Sequence, residues 1–367
     1  MLQAAVDRWS EPAVLLAGGL LIGALFGFFA QRSRFCMRSA VIEFARNLLG
    51  GKLTVWLFAF GSAVLATQLL SWAGAFDARD ARLISARGSL SGAALGGALF
   101  GVGMVLARGC PSRLLVLAAQ GNLRAVLSGL VFAVTAQASL GGVLAPYREA
   151  AASWWTVDGG ASRDLIALLG LGHLGAIAFG ALWLGAAVWW ARKQHVPAWG
   201  WAGAVAVGLT VALAWWFTYA MTQVSFDPHP VQAISFTGPS AELLSRVMLA
   251  GGRPWNFDMG LIAGVVLGSF LAAAAFRELK LEGFDGGAGM RRYLVGAVLM
   301  GFGGVLAGGC AVGAGLSGAA IFTLTAWVTL AAMWAAAGLT DRWIDHRPSP
   351  VLEQPVPGTT STAHPVP

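Results

Sequence analysis

Seven stretches of this chain, 12 to 31, 53 to 76, 88 to 107, 125 to 147, 165 to 191, 196 to 226 and 259 to 276, run for spanning length without a charged side chain. An eighth, 293 to 340, holds no Asp, Glu, Lys, Arg or His. At about 1.5 Å of rise per helical residue against a hydrocarbon core of about 30 Å, each of the seven crosses once and the eighth has length for two crossings. The reading is an all-α integral membrane protein with about nine transmembrane helices. Composition agrees, with 57% apolar and 11% charged residues and 50 glycines, far from the norm of soluble domains. The first run is followed by arginines and not by a small-residue cleavage site, so it reads as a helix that stays. One transmembrane domain is expected over 1 to 346, in halves of about 10 to 150 and 200 to 345. The proline-rich tail, 347 to 367, is expected to be disordered.

Nine crossings place the termini on opposite sides and alternate the loops. With the N-terminus outside, the inner loops hold 16 of the 24 basic residues: Arg32, Arg34, Arg38, Arg46, Lys52, Arg108, Arg113, Arg124, Arg192, Lys193, Arg277, Lys280, Arg291, Arg292, Arg342 and Arg347. The positive-inside rule then sets the N-terminus out and the C-terminus in the cytoplasm of a bacterial inner membrane. The net charge of +7 is thereby a topology signal facing anionic membrane lipid, and it calls for no nucleic acid. Trp154, Trp155, Trp189, Trp190, Trp199 and Trp201 fall near expected helix ends, as interfacial anchors do.

All three cysteines close the same kind of glycine-punctuated apolar helix: GALFGFFAQRSRFC (23 to 36), GALFGVGMVLARGC (97 to 110) and AVLMGFGGVLAGGC (297 to 310). The first two windows match at 7 of 14 positions and the last two at 8 of 14. Between the start of the last run and Gly308 lie only 15 residues, 293 to 307, about 22 Å of helix, so the chain is expected to break with Cys310 still at membrane depth. Such backbone is tolerated only inside protein or along a polar cavity. Pro111 suits the first turn of a new helix after Cys110, and Gly121 with Asn122 its end. Each unit is thus expected to run long helix, glycine break with thiol, short helix, long helix, with the amides of the short helix making a place for an anion. GVVLGSFLAAAAFR (264 to 277) repeats the glycine spacing, with Arg277 standing where the first copy has Cys36. The two halves are then pseudo-symmetric and inverted, their thiols approaching from opposite sides.

Other readings of these residues stay open. A single membrane cysteine is commonly a small packing residue, Cys36 and Cys110 have the option of a disulfide, and three thiolates the option of a metal site. No Cys-x-x-Cys pair exists, however, and no histidine lies near a cysteine in sequence. Arg108 either lines an anion route or snorkels to the interface, and Arg34 and Arg113 share that ambiguity. His173 is expected to pack in the core. Glu43 and Arg46, three apart, are expected to pair. Within 222 to 256, AELLSRVML is expected to form an amphipathic helix along the outer surface.

The segments SRFCMRSA, ARGCPSRL and GGCAVGAGLSG resemble the three cysteine motifs of the YeeE/YedE sulfur-transport family, over roughly residues 20 to 345. The resemblance implies a nine-span fold with re-entrant helices in an hourglass, and thiosulfate import along Cys36, Cys110 and Cys310. Arg108, Gly109 and Gly309, beside those thiols, join them as expected substrate-binding residues, with no cofactor and no catalytic set. Ala311 stands where the family motif is associated with Thr. The chemistry fits: a neutral thiol donates a weak S–H hydrogen bond to a dianion with a terminal sulfur, loose enough for release. The resemblance also implies a small cytoplasmic sulfur-carrier protein as partner, docking on the basic stretch from Arg32 to Lys52. Alternatives are a membrane sulfurtransferase working through a cysteine persulfide, a transporter of a selenium compound, and a structural or sensory membrane protein. No intramembrane carboxylate stands out in the sequence as a coupling site.

Overall fold

A computed structural model describes residues 2–48, 50–194, 196–225, 229–249, 255–284 and 286–344. The expected disordered tail lies outside the described residues. The chain opens with α1 (Leu2–Trp9) and α2 (Glu11–Ser33), then α3 (Met37–Ala45), α4 (Gly51–Trp72), α5 (Arg82–Ser85), α6 (Leu90–Leu106), α7 (Pro111–Ala119) and α8 (Leu123–Gly141). It continues through α9 (Ala145–Ser153), α10 (Leu165–Leu169), α11 (Gly172–Gln194), α12 (Ala198–Thr222), α13 (Thr237–Leu249), α14 (Phe257–Ala275), α15 (Gly286–Leu306) and α16 (Leu324–Ile344). The one sheet among the described residues is a two-residue ribbon, β1 (Gly88–Ser89) against β2 (Thr156–Val157).

Seven helices are long and apolar enough to cross a membrane: α2, α4, α6, α8, α11, α12 and α14 (the spans that start on α2 and α6 run on through α3 and α7). They coincide with the seven uncharged runs. Helices α15 and α16, of 21 residues each, also reach about 31 Å. They fall outside the seven because Arg291 and Arg292 sit in the first and Asp341 and Arg342 in the second. Helix α15 corrects the expected 15-residue segment: it starts at Gly286, before the two arginines, since arginine is a good helix former and its long stem keeps the charge at the helix end.

Two glycine-lined helix pairs form the centre. Helix α2 lies against α14 so closely that a Cβ at Gly23 would collide with the Leu261 carbonyl and one at Gly264 with the Leu20 carbonyl. Their contacts advance together, Gly19 meeting Phe257 and Gly27 meeting Val265, so the pair is parallel. Helix α6 meets α15 in the opposite sense, with Gly92 against Leu306, Gly96 against Gly303 and Gly103 against Gly296. Small residues permit this approach, and dispersion between the backbones supplies the cohesion that lipid cannot. Around these pairs α4 packs on α11 and α12, and α16 on α6.

Contacts sort the loops onto two sides. Gln31, Gln120 and Glu278 meet on one, where Gln31 Nε2 donates to Glu278 Oε2 at 2.7 Å and Gln120 to Gln31. Arg46 and Asp341 share that side with them through the helix directions, in a two-pronged pair at 2.7 and 2.9 Å. Glu43, expected to pair with Arg46, accepts the first amides of α4 from Lys52 and Leu53 at 3.0 and 2.9 Å, which suits a carboxylate at a helix N-terminus. On the other side Glu11 meets Ser225 and His229, and Arg163 reaches Thr325 at 2.7 Å. His173 is exposed in the first turn of α11, a correction to its expected core position: the helix starts only at Gly172, which leaves the ring at a helix end. Most of the anchor tryptophans are exposed near helix ends, Trp154 and Trp155 most of all. The expected helix over AELLSRVML is part of α13.

Candidate thiol centre and outer cavity

Four of the long helices end in one device, which α4 also shows at Gly74 (φ 71°). At the ends of α2, α6, α14 and α15 the chain turns through a left-handed residue, Arg34 (φ 53°), Arg108 (φ 55°), Arg277 (φ 56°) and Gly308 (φ 78°). Each donates its amide to the carbonyl three back, and the next residue donates to the carbonyl five back, as Phe35 does to Ala30, Gly109 to Met104, Glu278 to Ala273 and Gly309 to Gly304. This closing motif satisfies helix-end carbonyls and normally takes glycine. Arginine fills three of the four places, where its charge complements the negative helix end.

Each cysteine lies two residues beyond the left-handed turn. The same register places Leu279, not Arg277, opposite Cys36, a two-residue correction to the expected alignment: the shared backbone turn, and not the arginine, is what repeats. Cys36 precedes the nine-residue α3 and Cys110 the nine-residue α7, with Pro111 in its first turn. Cys310 departs from the expected short α-helix, because a π-helical turn, Gly313–Gly318, follows it. All six residues of that turn are buried. Its backbone is satisfied by side chains from neighbouring helices: Trp215 Nε1 donates to the Ser317 carbonyl at 3.2 Å and Gln68 Nε2 to the Ala320 carbonyl at 2.7 Å. Irregular backbone at this depth survives through such partners.

All three cysteines are free and buried, Cys36 at 8% exposure and Cys110 and Cys310 at 1%. They converge: Cys110 and Cys310 share one buried core, and Met37, next to Cys36, packs against Gly315 in the turn that follows Cys310. Cys110 Sγ lies 3.1 Å from the Ser112 hydroxyl. Cys310 Sγ accepts from the amides of Phe236 and Gly313, each at 3.4 Å. Among the described residues no cluster of three or more His, Cys, Asp or Glu has the makings of a metal site.

Of the other expected site residues, Gly109 and Gly309 belong to the closing turns. Arg108 is exposed, its guanidinium 5.9 Å from the Tyr293 ring, which Arg124 also approaches at 4.6 Å. Arg113 is half-buried on α7, and its Nη1 makes no hydrogen bond among the described residues.

A cavity of about 870 Å³ opens on the side carrying Glu11 and His229, and Gly308 and Gly309 line it beside Cys310. Its wall also holds Asp258, whose Oδ1 accepts from Gln232 Nε2 at 2.9 Å, and Glu242, which accepts from Asn256 at 2.7 Å. Sequence reasoning passed over these carboxylates and the Ser235 to Pro239 stretch because no repeat marks them. The one available signal was Thr-Gly-Pro-Ser at the start of an amphipathic helix.

Residues 32–339 match the family described as sulphur transport. The chain is 26% identical over 356 residues to the thiosulfate transporter TsuA of Escherichia coli (strain K12), covering 89% of this chain and 94% of that protein. It is 29% identical over 331 residues to the thiosulfate transporter TsuA of Spirochaeta thermophila, covering 84% of this chain and 93% of that one.

Proposed function

The chain belongs to the sulphur transport family, and from that premise we propose that it imports thiosulfate, or a closely related sulfur-containing anion, passing it between Cys36, Cys110 and Cys310. Sulfur-anion transport by a multi-pass membrane protein is the reading that the two thiosulfate transporters and the seven spanning helices support. The observation that carries the thiol route is the convergence of three buried thiols at chain breaks entering from both sides of the molecule.

The two sides make a route. With α15 and α16 counted as crossings the spans number nine, and the excess of arginine and lysine on the side of Arg46 and Asp341 supports an N-terminus outside and that side in the cytoplasm. The cavity beside Gly309 then receives the anion from outside. Cys310 meets it first and Cys36 and Cys110 pass it inward. The helix starts of α3 and α7, with no side chain capping them, favour negative charge beside those two thiols. A thiol is a weak hydrogen-bond donor, so each stop holds the anion loosely. The basic stretch from Arg32 to Lys52 borders the exit, where it faces anionic lipid and suits a small cytoplasmic sulfur-carrier protein as acceptor.

The test is uptake of radiolabelled thiosulfate into cells carrying wild type and the Cys36→Ala, Cys110→Ala and Cys310→Ala variants, each checked for folded, membrane-inserted protein. Removal of any one thiol is expected to cut uptake at least about tenfold, the worth of roughly 1.4 kcal/mol at one step. Undiminished uptake in all three would return the cysteines to packing.

A further inference from the structure

The deep wall of the outer cavity contains an unpaired donor. Thr237 is 3% exposed, lines the cavity, and its Oγ1 has no hydrogen-bond partner among the described residues. A buried hydroxyl without a partner is costly, and native folds seldom leave one without reason. Thr237 opens α13, so its own amide and that of Gly238 have no carbonyl of a preceding turn to bond. Pro239 has no amide to compete, and Gly238 and Pro239 line the same cavity. Ser235 adds a second hydroxyl to this wall, facing Gly313, where a Cβ would come within 2.6 Å of Ser235 Oγ. Between the two hydroxyls, Phe236 sends its amide to Cys310 Sγ at 3.4 Å. One four-residue stretch therefore brings two hydroxyl residues and the start of a helix to the cavity wall, and its Phe236 amide ties it to the third thiol.

We propose that Ser235, Thr237 and the first amides of α13 form an oxyanion station on the outer side of Cys310, holding the oxygens of an incoming sulfur oxyanion so that its terminal sulfur faces the thiol. The station rests on the transport reading above and adds to it a site made of no cysteine. Its donors are neutral and the helix start supplies only a partial positive charge, so it binds a dianion without trapping it. It also explains how a thiol, a poor donor, obtains an oriented substrate. The oxygens are held by hydroxyls and amides, and only the sulfur is left for Cys310.

The experiment is equilibrium binding of thiosulfate, and separately of sulfate, to the purified full-length protein in nanodiscs, alongside uptake by the same variants. Thr237→Val keeps the branched shape and removes the hydroxyl, while Thr237→Ser keeps the hydroxyl. The expected result is about tenfold weaker thiosulfate binding for Thr237→Val, the scale of one hydrogen bond to a charged group, with Thr237→Ser within about twofold of wild type. Ser235→Ala is expected to weaken binding in the same direction by less. Wild-type affinity in Thr237→Val overturns the station, and so does equal weakening in Thr237→Ser, since shape and not the hydroxyl would then be responsible. Wild-type vesicles that bind anion through Thr237 yet take up no thiosulfate would support the station and overturn the transport reading alone.

Discussion

The two glycine-lined helix pairs solve one packing problem with opposite outcomes. In the parallel pair α2 and α14, both closing turns fall on the same side, Arg34 beside Arg277, and Gln31 and Arg32 of one helix reach Glu278 of the other. In the antiparallel pair α6 and α15 the closing turns lie at opposite ends, so Cys110 and Cys310 enter from opposite sides. The parallel pair is a strut with a polar lock at one end. The antiparallel pair brings two broken segments toward each other, and a route across the membrane needs that arrangement. Burial, and not helix direction, separates the two turns of the parallel pair: that of α2 carries buried Cys36, and that of α14 carries Leu279, 44% exposed at the rim.

The sharpest way to break the comparison is to separate the backbones. Gly264→Val would drive a side chain into the Leu20 carbonyl and to within 2.9 Å of the Ala24 amide. Gly296→Val would do the same against Ala107 and Gly103 across the antiparallel pair. Neither variant is expected to accumulate as folded protein, since backbone cannot yield as a side-chain tip does. Gly185→Ala, with nothing within 4 Å of the new methyl, is expected to leave stability unchanged or raise it by about 0.5 to 1 kcal/mol. Size-exclusion profiles and thermal melts in detergent read both; a well-folded Gly264→Val would show that the close approach is not required.

The next effect is at the bond joining the ends of two thiol hairpins. Arg46 follows the short helix after Cys36, and Asp341, 0% exposed, ends the long helix after Cys310. Asp341→Asn removes the buried negative charge of this pair, a loss of about 3 kcal/mol for a pair that opens to solvent on the arginine side. A melting-temperature shift of only a degree would show that the two hairpins do not depend on that tie.

Smaller still is Arg108→Gly, which makes the second closing turn match the fourth at Gly308. Glycine relieves the left-handed strain of about 1 kcal/mol and gives up a charge near the helix end worth somewhat less, so stability should change by under about 1 kcal/mol. With Arg108 exposed against Tyr293, uptake is expected to fall less than about threefold. A loss as large as that of Cys110→Ala would put Arg108 on the anion's route.

The membrane class, the seven crossings and the three chain breaks were legible because each has a one-dimensional signature: uncharged length, or a glycine run ending in cysteine. What escaped the sequence was set by register and by contacts across the fold. Arg277 aligned with Cys36 by its letters, whereas the hydrogen bonds align it with Arg34. The start of α15 was hidden by Arg291 and Arg292, which hydropathy counts as a boundary and a helix does not. Thr237 belongs to no repeat, and what marks it is a buried hydroxyl on the cavity wall, beside the Cys310 contact of Phe236, with no partner among the described residues. Asp341, which no sequence pattern singles out, is buried through a partner 295 residues away.

The least disruptive test uses the register itself. Leu279 occupies the place of Cys36 two residues beyond its closing turn, yet it is 44% exposed where Cys36 is 8% exposed. Leu279→Cys rebuilds the missing fourth thiol at the rim and is expected to change stability by no more than about 0.5 kcal/mol. A membrane-impermeant maleimide should modify that thiol quickly and the three native ones slowly, and thiosulfate should protect the native thiols but not the added one. Uptake should be unchanged, because this turn is exposed at the rim and the other three thiols are buried. Slow labelling with protection by thiosulfate would mean that the fourth turn reaches the centre after all. Exposure at the rim would then no longer explain why the turn after α14 carries no cysteine.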